Sequence, residues 1–189
     1  HSYGVNGTTH LFDARVGNAY KSLAITSMGA GHRGLVGYQL YERAGASENS
    51  NFKINFEITN KTQGYSELGY TYSGVEFLNR LNGSTPQALA VFGNGYTFDQ
   101  GANAPSVLYI SDAVTGDLVK KIELPGGRGG ASTPAVVVKK DPYSDYQVID
   151  RIYVGDQSGK LFKILFDTTS EAKIRTMEVA KVIPLFDAN

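Results

Sequence analysis

The sequence predicts an all-β fold, specifically part of a β-propeller with roughly four blades of antiparallel hairpins. The composition supports this, because 22 glycines, 12 tyrosines and 9 phenylalanines suit sheets joined by many tight turns. Long amphipathic helical repeats are absent from the pattern of apolar residues. In addition, one strand–glycine–strand unit recurs along the chain, and repeats of that kind are typical of radially arranged sheets.

The recurrent unit begins with an apolar strand that ends in glycine beside asparagine or aspartate. A turn with a second glycine and a second apolar strand follow. Glycine and asparagine reach the positive φ values that tight hairpins need. The unit occupies residues 3–17, 91–116 and 153–167. At about 40–50 residues per blade, 189 residues correspond to roughly four blades.

Each copy of the unit closes on an aspartate: Asp13, Asp112 or Asp167. The segments FDARVG and SDAVTG predict type I turns in which the aspartate side chain accepts backbone N–H groups. These aspartates are therefore expected to be structural and not catalytic. The long interval between Asp13 and Asp112 leaves room for an additional blade.

Two further segments receive specific predictions. Residues 41–53 (YERAGASENSNFK) are polar and rich in glycine and serine, which indicates an exposed inserted loop. Residues 170–183 (SEAKIRTMEVAKVI) fit either a helix or a strand by their apolar spacing. We favour a strand because the remainder of the chain is β-like.

Charge and length limit the classes of partner. Lysine plus arginine equal aspartate plus glutamate, 18 of each, so neither nucleic acid nor an anionic membrane surface is an expected partner. The apolar runs are too short for a membrane span. The chain begins on polar, strand-like sequence with no signal peptide, so we expect it to be a piece of a longer or processed protein.

Motifs that suggest enzymes fail on their context. GAGHRG (29–34) matches a dinucleotide fingerprint, yet a strand-like segment follows it where that fingerprint requires a helix. PGGRGGAST (125–133) lacks the ending of a phosphate-binding loop. His1, His10 and His32 lack metal-site spacing, and no nucleophile, base and oxyanion donors come together. The sequence therefore predicts a non-enzymatic protein.

Six blocks of sequence carry a resemblance to a known family. In chain order they are GAGHRGLVGYQL (29–40), ELGYTYS (67–73), AVFGNGYT (90–97), LYISDAVTGDLVKKI (108–122), STPAVV (132–137) and DRIYVGDQSGKLFKILFD (150–167). Together they resemble the C-terminal β-propeller of the PilC/PilY type IV pilus tip-associated adhesins. The blocks keep the family's order, and LGYTYS and VFGNGY are the specific ones.

The resemblance implies that residues 1–189 are part of a single propeller domain, a modified seven-bladed ring, without the family's N-terminal adhesive region. It implies an exported protein of a Gram-negative bacterium, at the pilus tip, outer membrane or cell surface. Such proteins promote pilus assembly, oppose retraction and support attachment. The implied partners are minor pilins or the pilus tip, and a host cell surface or other extracellular ligand.

The resemblance also implies a calcium loop between STPAVV and IYVGD. Calcium takes six to eight oxygen ligands, and an EF-hand count fails here because its glycine and glutamate positions hold Tyr146 and Ile152. The expected ligands are Asp141, Asp145, Gln147 through its carbonyl, Asp150 if the loop bulges by one residue, and Tyr143 through its backbone only. The competing interpretation is an ordinary polar hairpin turn.

Two other functions remain open from the sequence. A fragment of a quinoprotein (pyrroloquinoline quinone) dehydrogenase would share the strand–glycine–strand repeats, but that family's blades use tryptophan and this chain has none. A carbohydrate-binding propeller would stack sugar rings on exposed aromatic side chains, for which Tyr65, Tyr70 and Tyr72 are the candidates.

Overall fold

The computed structural model describes residues 4–50, 52–101 and 103–188. These residues form three antiparallel sheets, one 3-10 turn and one short α-helix. No helix in this part of the chain is long and apolar enough to cross a membrane.

The first sheet contains five strands. Its central path runs in chain order, and the fifth strand pairs with the third beside the very short fourth strand. The strands are β1 (Thr9–Val16), β2 (Ala19–Ser27), β3 (Gly34–Ala44), β4 (Ser47–Asn49) and β5 (Lys53–Thr59).

The second and third sheets each contain four strands in sequential order. The second comprises β6 (Glu76–Asn82), β7 (Thr85–Gly93), β8 (Pro105–Asp112) and β9 (Leu118–Arg128). The third comprises β10 (Ala135–Lys140), β11 (Gln147–Gly155), β12 (Lys160–Phe166) and β13 (Val179–Asp187), with helix α1 (Glu171–Thr176) inserted before its last strand. Four-stranded up-and-down sheets of this kind are the blades of propellers.

The sheets pack face to face, with the second one between the other two. Alternate residues of a strand point to opposite faces, and β7 shows this directly. Ala88, Ala90 and Phe92 join a buried cluster shared with the first sheet, whereas Leu89 and Val91 join a cluster shared with the third. Because both faces of the middle sheet are buried, β7 is apolar at consecutive positions and does not alternate with polar residues.

The described residues form three sheets, where the chain length predicted about four blades. The connections between sheets, a long one at residues 60–75 and a short one at 129–134, use part of the length. The repeat predicted at 3–17 does not occupy the same strands as the other two copies. It ends on the first strand of its sheet, β1, whereas the copies at 91–116 and 153–167 span the second and third strands of their sheets. The equivalent hairpin of the first sheet is β2–β3, and GAGHRG is its turn, with no helix after it.

The closing aspartates differ in their roles. Asp112 is a turn residue as predicted, since its Oδ1 accepts the N–H groups of Val114 (2.8 Å) and Thr115 (2.9 Å). For Asp13 the prediction was wrong. Asp13 lies inside β1, where it accepts the hydroxyl of Ser22 at 2.6 Å, and the turn comes later.

Within the segment 41–53, residues 45–50, 52 and 53 are exposed as predicted, but the segment continues the sheet. β3 extends to Ala44, and β4 folds back on it to form a hairpin extension. A chain reversal next to an existing strand satisfies backbone groups that a free loop would leave to water, which explains the ordered pairing.

The predicted strand at 170–183 is half wrong, because its first part is helix α1 and its second part is β13. The Ser170 hydroxyl accepts the Lys173 N–H at the start of the helix, and Met177 ends it in the left-handed conformation at φ 49°. Ile174 is buried and Met177 joins the core between the second and third sheets. Tertiary burial and the cap thus override the strand pattern.

The connections between sheets meet at Asn94, whose side chain is fully buried. Its Oδ1 accepts the N–H groups of Val107 (2.9 Å) and Ala131 (2.8 Å). Its Nδ2 donates to the carbonyls of Glu67 (2.8 Å) and Pro105 (3.0 Å). The Asn94 side chain therefore links three segments. They are the connection that precedes the second sheet, strand β8 within that sheet, and the connection that precedes the third sheet.

Candidate functional site

The loop that was predicted to bind calcium connects β10 and β11 in the third sheet. Val137 pairs with Arg151 and Val138 pairs with Ile149, so Asp150 is one extra residue between the two pairs. The one-residue bulge that the calcium arrangement required is therefore present. A β-bulge changes the direction in which the extra residue's side chain points. Whether this bulge helps to form a calcium site therefore depends on what the Asp150 side chain contacts.

Asp141 occupies the start of the loop with a buried side chain. Its Oδ1 accepts the Tyr143 N–H at 2.9 Å, and its Oδ2 accepts the Ser144 hydroxyl at 2.7 Å and Arg175 Nη1 at 2.6 Å. Burial by itself raises the pKa of Asp141, but the hydrogen bonds from Ser144, Arg175 and Tyr143 outweigh it and hold that pKa below its ordinary value. Asp141 is thus a charged turn residue paired with an arginine.

Asp150 points toward other cations. Its Oδ1 lies 2.9 Å from Lys139 Nζ, and its Oδ2 lies 2.8 Å from Arg151 Nη1. The hydrogen bond from Lys139 is the main reason that the pKa of Asp150 is lowered. The bulge therefore directs Asp150 to Lys139 and Arg151.

The remaining predicted ligands lie at the surface. The Asp145 side chain is 99% exposed, and its Oδ1 is 3.6 Å from Lys140 Nζ. Gln147 begins β11 opposite Lys140 and is exposed. Tyr143 is also exposed, and its backbone contributes an N–H donor to Asp141.

These positions do not fit a calcium site. Each of the three carboxylates already has a lysine or arginine partner, and a cation beside the ligand oxygens opposes binding of a second cation. Nowhere in residues 4–50, 52–101 and 103–188 do three histidine, aspartate or glutamate side chains come together as a metal site. Calcium binding by this loop stays a prediction.

Arg175 belongs to this site, although it was not among the residues predicted from the sequence. It lies near the end of α1, with Nη1 on Asp141 and Nη2 on Glu171 Oε1 at 3.0 Å. Glu171 and Arg175 are four residues apart, and Ser170 precedes them as a cap residue. That combination is a helix signal that was present in the sequence.

A buried arginine continues the contact into the second sheet. Arg80 on β6 donates from Nη1 to the carbonyl of Arg175 at 2.9 Å, and from Nε and Nη2 to Gln87 Oε1. Gln87 donates in turn to Asp112 Oδ2 at 2.8 Å. Burial, and then the nearby Arg175 charge, lower the pKa of Arg80 to about 10. A chain of polar contacts thus joins the second and third sheets.

Little space remains where these elements meet. The cavity bounded by Leu78, Arg80, Ile149, Ile174 and Met177 holds about 10 Å³, which is room for about one water molecule. The α1 segment, the loop and β6 are therefore closely packed.

Asp167 anchors the other end of the helical segment. Its Oδ2 accepts Lys173 Nζ at 2.6 Å, and its Oδ1 accepts both the hydroxyl and the N–H of Thr169. The hydrogen bond from Lys173, followed by those from Thr169, lowers the pKa of Asp167 to about 2. The carboxylate thereby holds the connection that follows β12.

Acid should weaken this anchor. Because the pKa of Asp167 is about 2 in the folded chain and about 3.9 in an unfolded one, its stabilising effect is complete above about pH 4 and is lost as the pH falls toward 2. Asp167→Asn should therefore lower the free energy of unfolding at pH 5, and by less at pH 2.5. Urea unfolding at both pH values measures this, and an equal difference at both would contradict it.

The predicted sugar-stacking tyrosines do not share a surface. Tyr65 is 1% exposed, its hydroxyl contacts Ser111 Oγ at 2.5 Å, and burial raises its pKa to about 12. The guanidinium of Arg33 covers the ring of Tyr70 at 5.2 Å. Tyr72 is 58% exposed. The prediction of an exposed Tyr65 was wrong because its ring is needed in the core.

The sequence model of the PilY1 beta-propeller domain matches residues 1–178, which is nearly the whole chain. The chain belongs to the PilY1 β-propeller family. This confirms the family resemblance.

Relatives extend the match. The chain is 32% identical over 166 residues to the type IV pilus biogenesis factor PilY1 of Pseudomonas aeruginosa strain UCBPP-PA14, covering 86% of this chain and 13% of that protein. It is 26% identical over 171 residues to the PilY1 homologue of Xylella fastidiosa strain Temecula1, covering 86% of this chain and 11% of that protein. The chain therefore corresponds to a small part of these PilY1 proteins.

A solved structure supports the fold. The crystal structure of the Pseudomonas aeruginosa PilY1 C-terminal domain superposes with a TM-score of 0.68 at 28% identity, and the match covers 93% of this chain and 35% of that one. The predicted propeller class is thereby confirmed for a PilY1-type segment.

Proposed function

We propose that this chain is a segment of the β-propeller of a type IV pilus biogenesis factor. The observation that supports this most directly is the PilY1 family match over residues 1–178. The folded form agrees with it, since three sheets share two continuous apolar cores and provide a rigid scaffold. In this role the segment binds other proteins and performs no chemistry.

The finer role that we propose follows the family. The parent protein is exported, acts at the pilus tip or outer surface, promotes assembly, opposes retraction and supports attachment. Its partners would be minor pilins or another tip component, and an extracellular or host-surface ligand. The equal numbers of acidic and basic residues favour recognition of a protein surface over nucleic acid.

A chimera tests the proposal. In Pseudomonas aeruginosa lacking PilY1, we would express PilY1 whose matched segment is replaced by residues 1–178 of this chain. Surface pili and twitching motility should be restored, and the chimera should appear in pili sheared from the cells. Wild-type PilY1 is the positive control.

A second chimera with Asn94→Ala provides the matched negative control, because it disrupts the joint between the sheets. A first chimera that is exported and protease-resistant but yields no pili would contradict the assembly role. Normal pili with unchanged attachment to cultured cells after loss of the segment would contradict the adhesion role.

A further inference from the structure

We propose that the Arg175 guanidinium is the cation that closes the β10–β11 loop of this chain, in the place where the family resemblance implies calcium. The loop would then keep its shape without a metal ion. The disagreement between the predicted calcium ligands and their observed partners leads to this inference.

The first argument is the position of the guanidinium. Arg175 Nη1 lies 2.6 Å from Asp141 Oδ2, which is hydrogen-bond distance for a charged pair. Calcium would need an oxygen of the same carboxylate at about 2.3–2.6 Å. The Asp141 side chain has no exposed surface, and its other oxygen is occupied by the Tyr143 N–H. Calcium and Arg175 would therefore compete for one buried carboxylate.

The second argument is that Arg175 is held in place from two other directions. Its Nη2 contacts Glu171 within α1, and its carbonyl accepts Arg80 from the second sheet. The helix thus delivers the cation, and the neighbouring sheet fixes the backbone that carries it. Movement of Arg175 to admit an ion would break contacts on both sides.

The third argument concerns the remaining ligands. Asp150 is turned by the bulge toward Lys139 and Arg151, and Asp145 extends into solvent. Bringing the Asp150 carboxylate to Asp141 would require the β10–β11 ladder to change its register, and the Asp145 carboxylate would have to fold back from solvent. Asp141 and Arg175 are already in contact, whereas the calcium ligands would have to be assembled.

Melting temperatures of substituted chains distinguish a loop closed by Arg175 from a loop closed by calcium. Arg175→Gln and Asp141→Asn should each lower Tm by about 6–12 °C, because each leaves a largely buried charge without its partner. The double substitution should lower Tm by less than the sum of the two. Asp145→Asn is the matched control, and it should change Tm by no more than about 2 °C because the side chain is exposed.

Calcium titration provides the independent readout. The wild-type chain should show no binding heat, and its Tm should be the same in 1 mM calcium chloride and in EGTA. A site with micromolar affinity would instead raise Tm by about 8–16 °C at that concentration. Such a shift, abolished by Asp141→Ala combined with Asp145→Ala, would overturn the proposal. Equal Tm values for Arg175→Gln and the wild-type chain would also overturn the proposal. If Arg175→Gln fails to fold, the wild-type titration still decides.

Discussion

Replacement of Asn94 by alanine is expected to lower the free energy of unfolding by about 3–5 kcal/mol, because it orphans several buried backbone groups at once. The N–H groups of Val107 and Ala131 lose their acceptor, and the carbonyls of Glu67 and Pro105 lose their donor. Urea unfolding followed by circular dichroism measures the change.

Two variants make the Asn94 experiment specific. Asn82→Ala makes the same chemical change at an exposed position at the end of β6, and it should alter the free energy of unfolding by no more than about 0.5 kcal/mol. Asn94→Asp keeps both acceptor functions but buries a carboxylate, whose pKa burial would raise. That variant should therefore be more stable at pH 5 than at pH 8. Equal stability of Asn94→Ala and Asn82→Ala would show that Asn94 does not join the sheets.

Gly130→Ala should be the second severe substitution, with a loss of about 3–5 kcal/mol from positive φ combined with steric overlap. Gly130 has φ 101°, and a Cβ at this position would overlap the carbonyl oxygen of Gly95. The segments around Gly95 and Gly130 lie this close because two backbone hydrogen bonds join them. The Gly95 N–H donates to the Ala131 carbonyl, and the Thr97 N–H donates to the Gly129 carbonyl. Thermal and urea unfolding measure the loss.

Gly83→Ala is the matched control for the glycine effect. Gly83 also has positive φ, at 60°, but no atom lies within 4 Å of the point that an alanine Cβ would occupy. Gly83→Ala should lower the free energy of unfolding by about 1 kcal/mol, because alanine is disfavoured at positive φ even where its Cβ meets no other atom. If both variants lose the same stability, close backbone approach is not the reason for glycine at position 130.

The repeated hairpins were predictable from the sequence because they depend on local chemistry. Glycine and asparagine at tight turns, apolar runs on either side, and Asp112 as a turn residue all act within a few positions. The block AVFGNGYT is one of the six that carried the family resemblance. The asparagine of that block is Asn94, which also joins the sheets through its buried side-chain amide.

The errors fall where local signals were ambiguous. Residues 170–183 fit two periodicities, and the burial of Ile174 and Met177 decided in favour of a helix for the first part. The first copy of the repeat was assigned to β1 because an apolar strand that contains an aspartate has the same sequence pattern whichever strand of a blade it forms. Tyr65 was predicted as an exposed aromatic side chain for sugar stacking, yet it fills the core between the first and second sheets.

By itself the sequence determined the all-β class, the hairpins and the PilY1-type family, because turn residues and apolar runs act locally and keep their order. Only the tertiary structure decided the partners of the acidic loop. Asp141 meets Arg175, 34 residues later, because α1 packs against the loop and Arg80 holds it there. A carboxylate in a sequence does not show which cation will reach it, since that depends on packing between sheets.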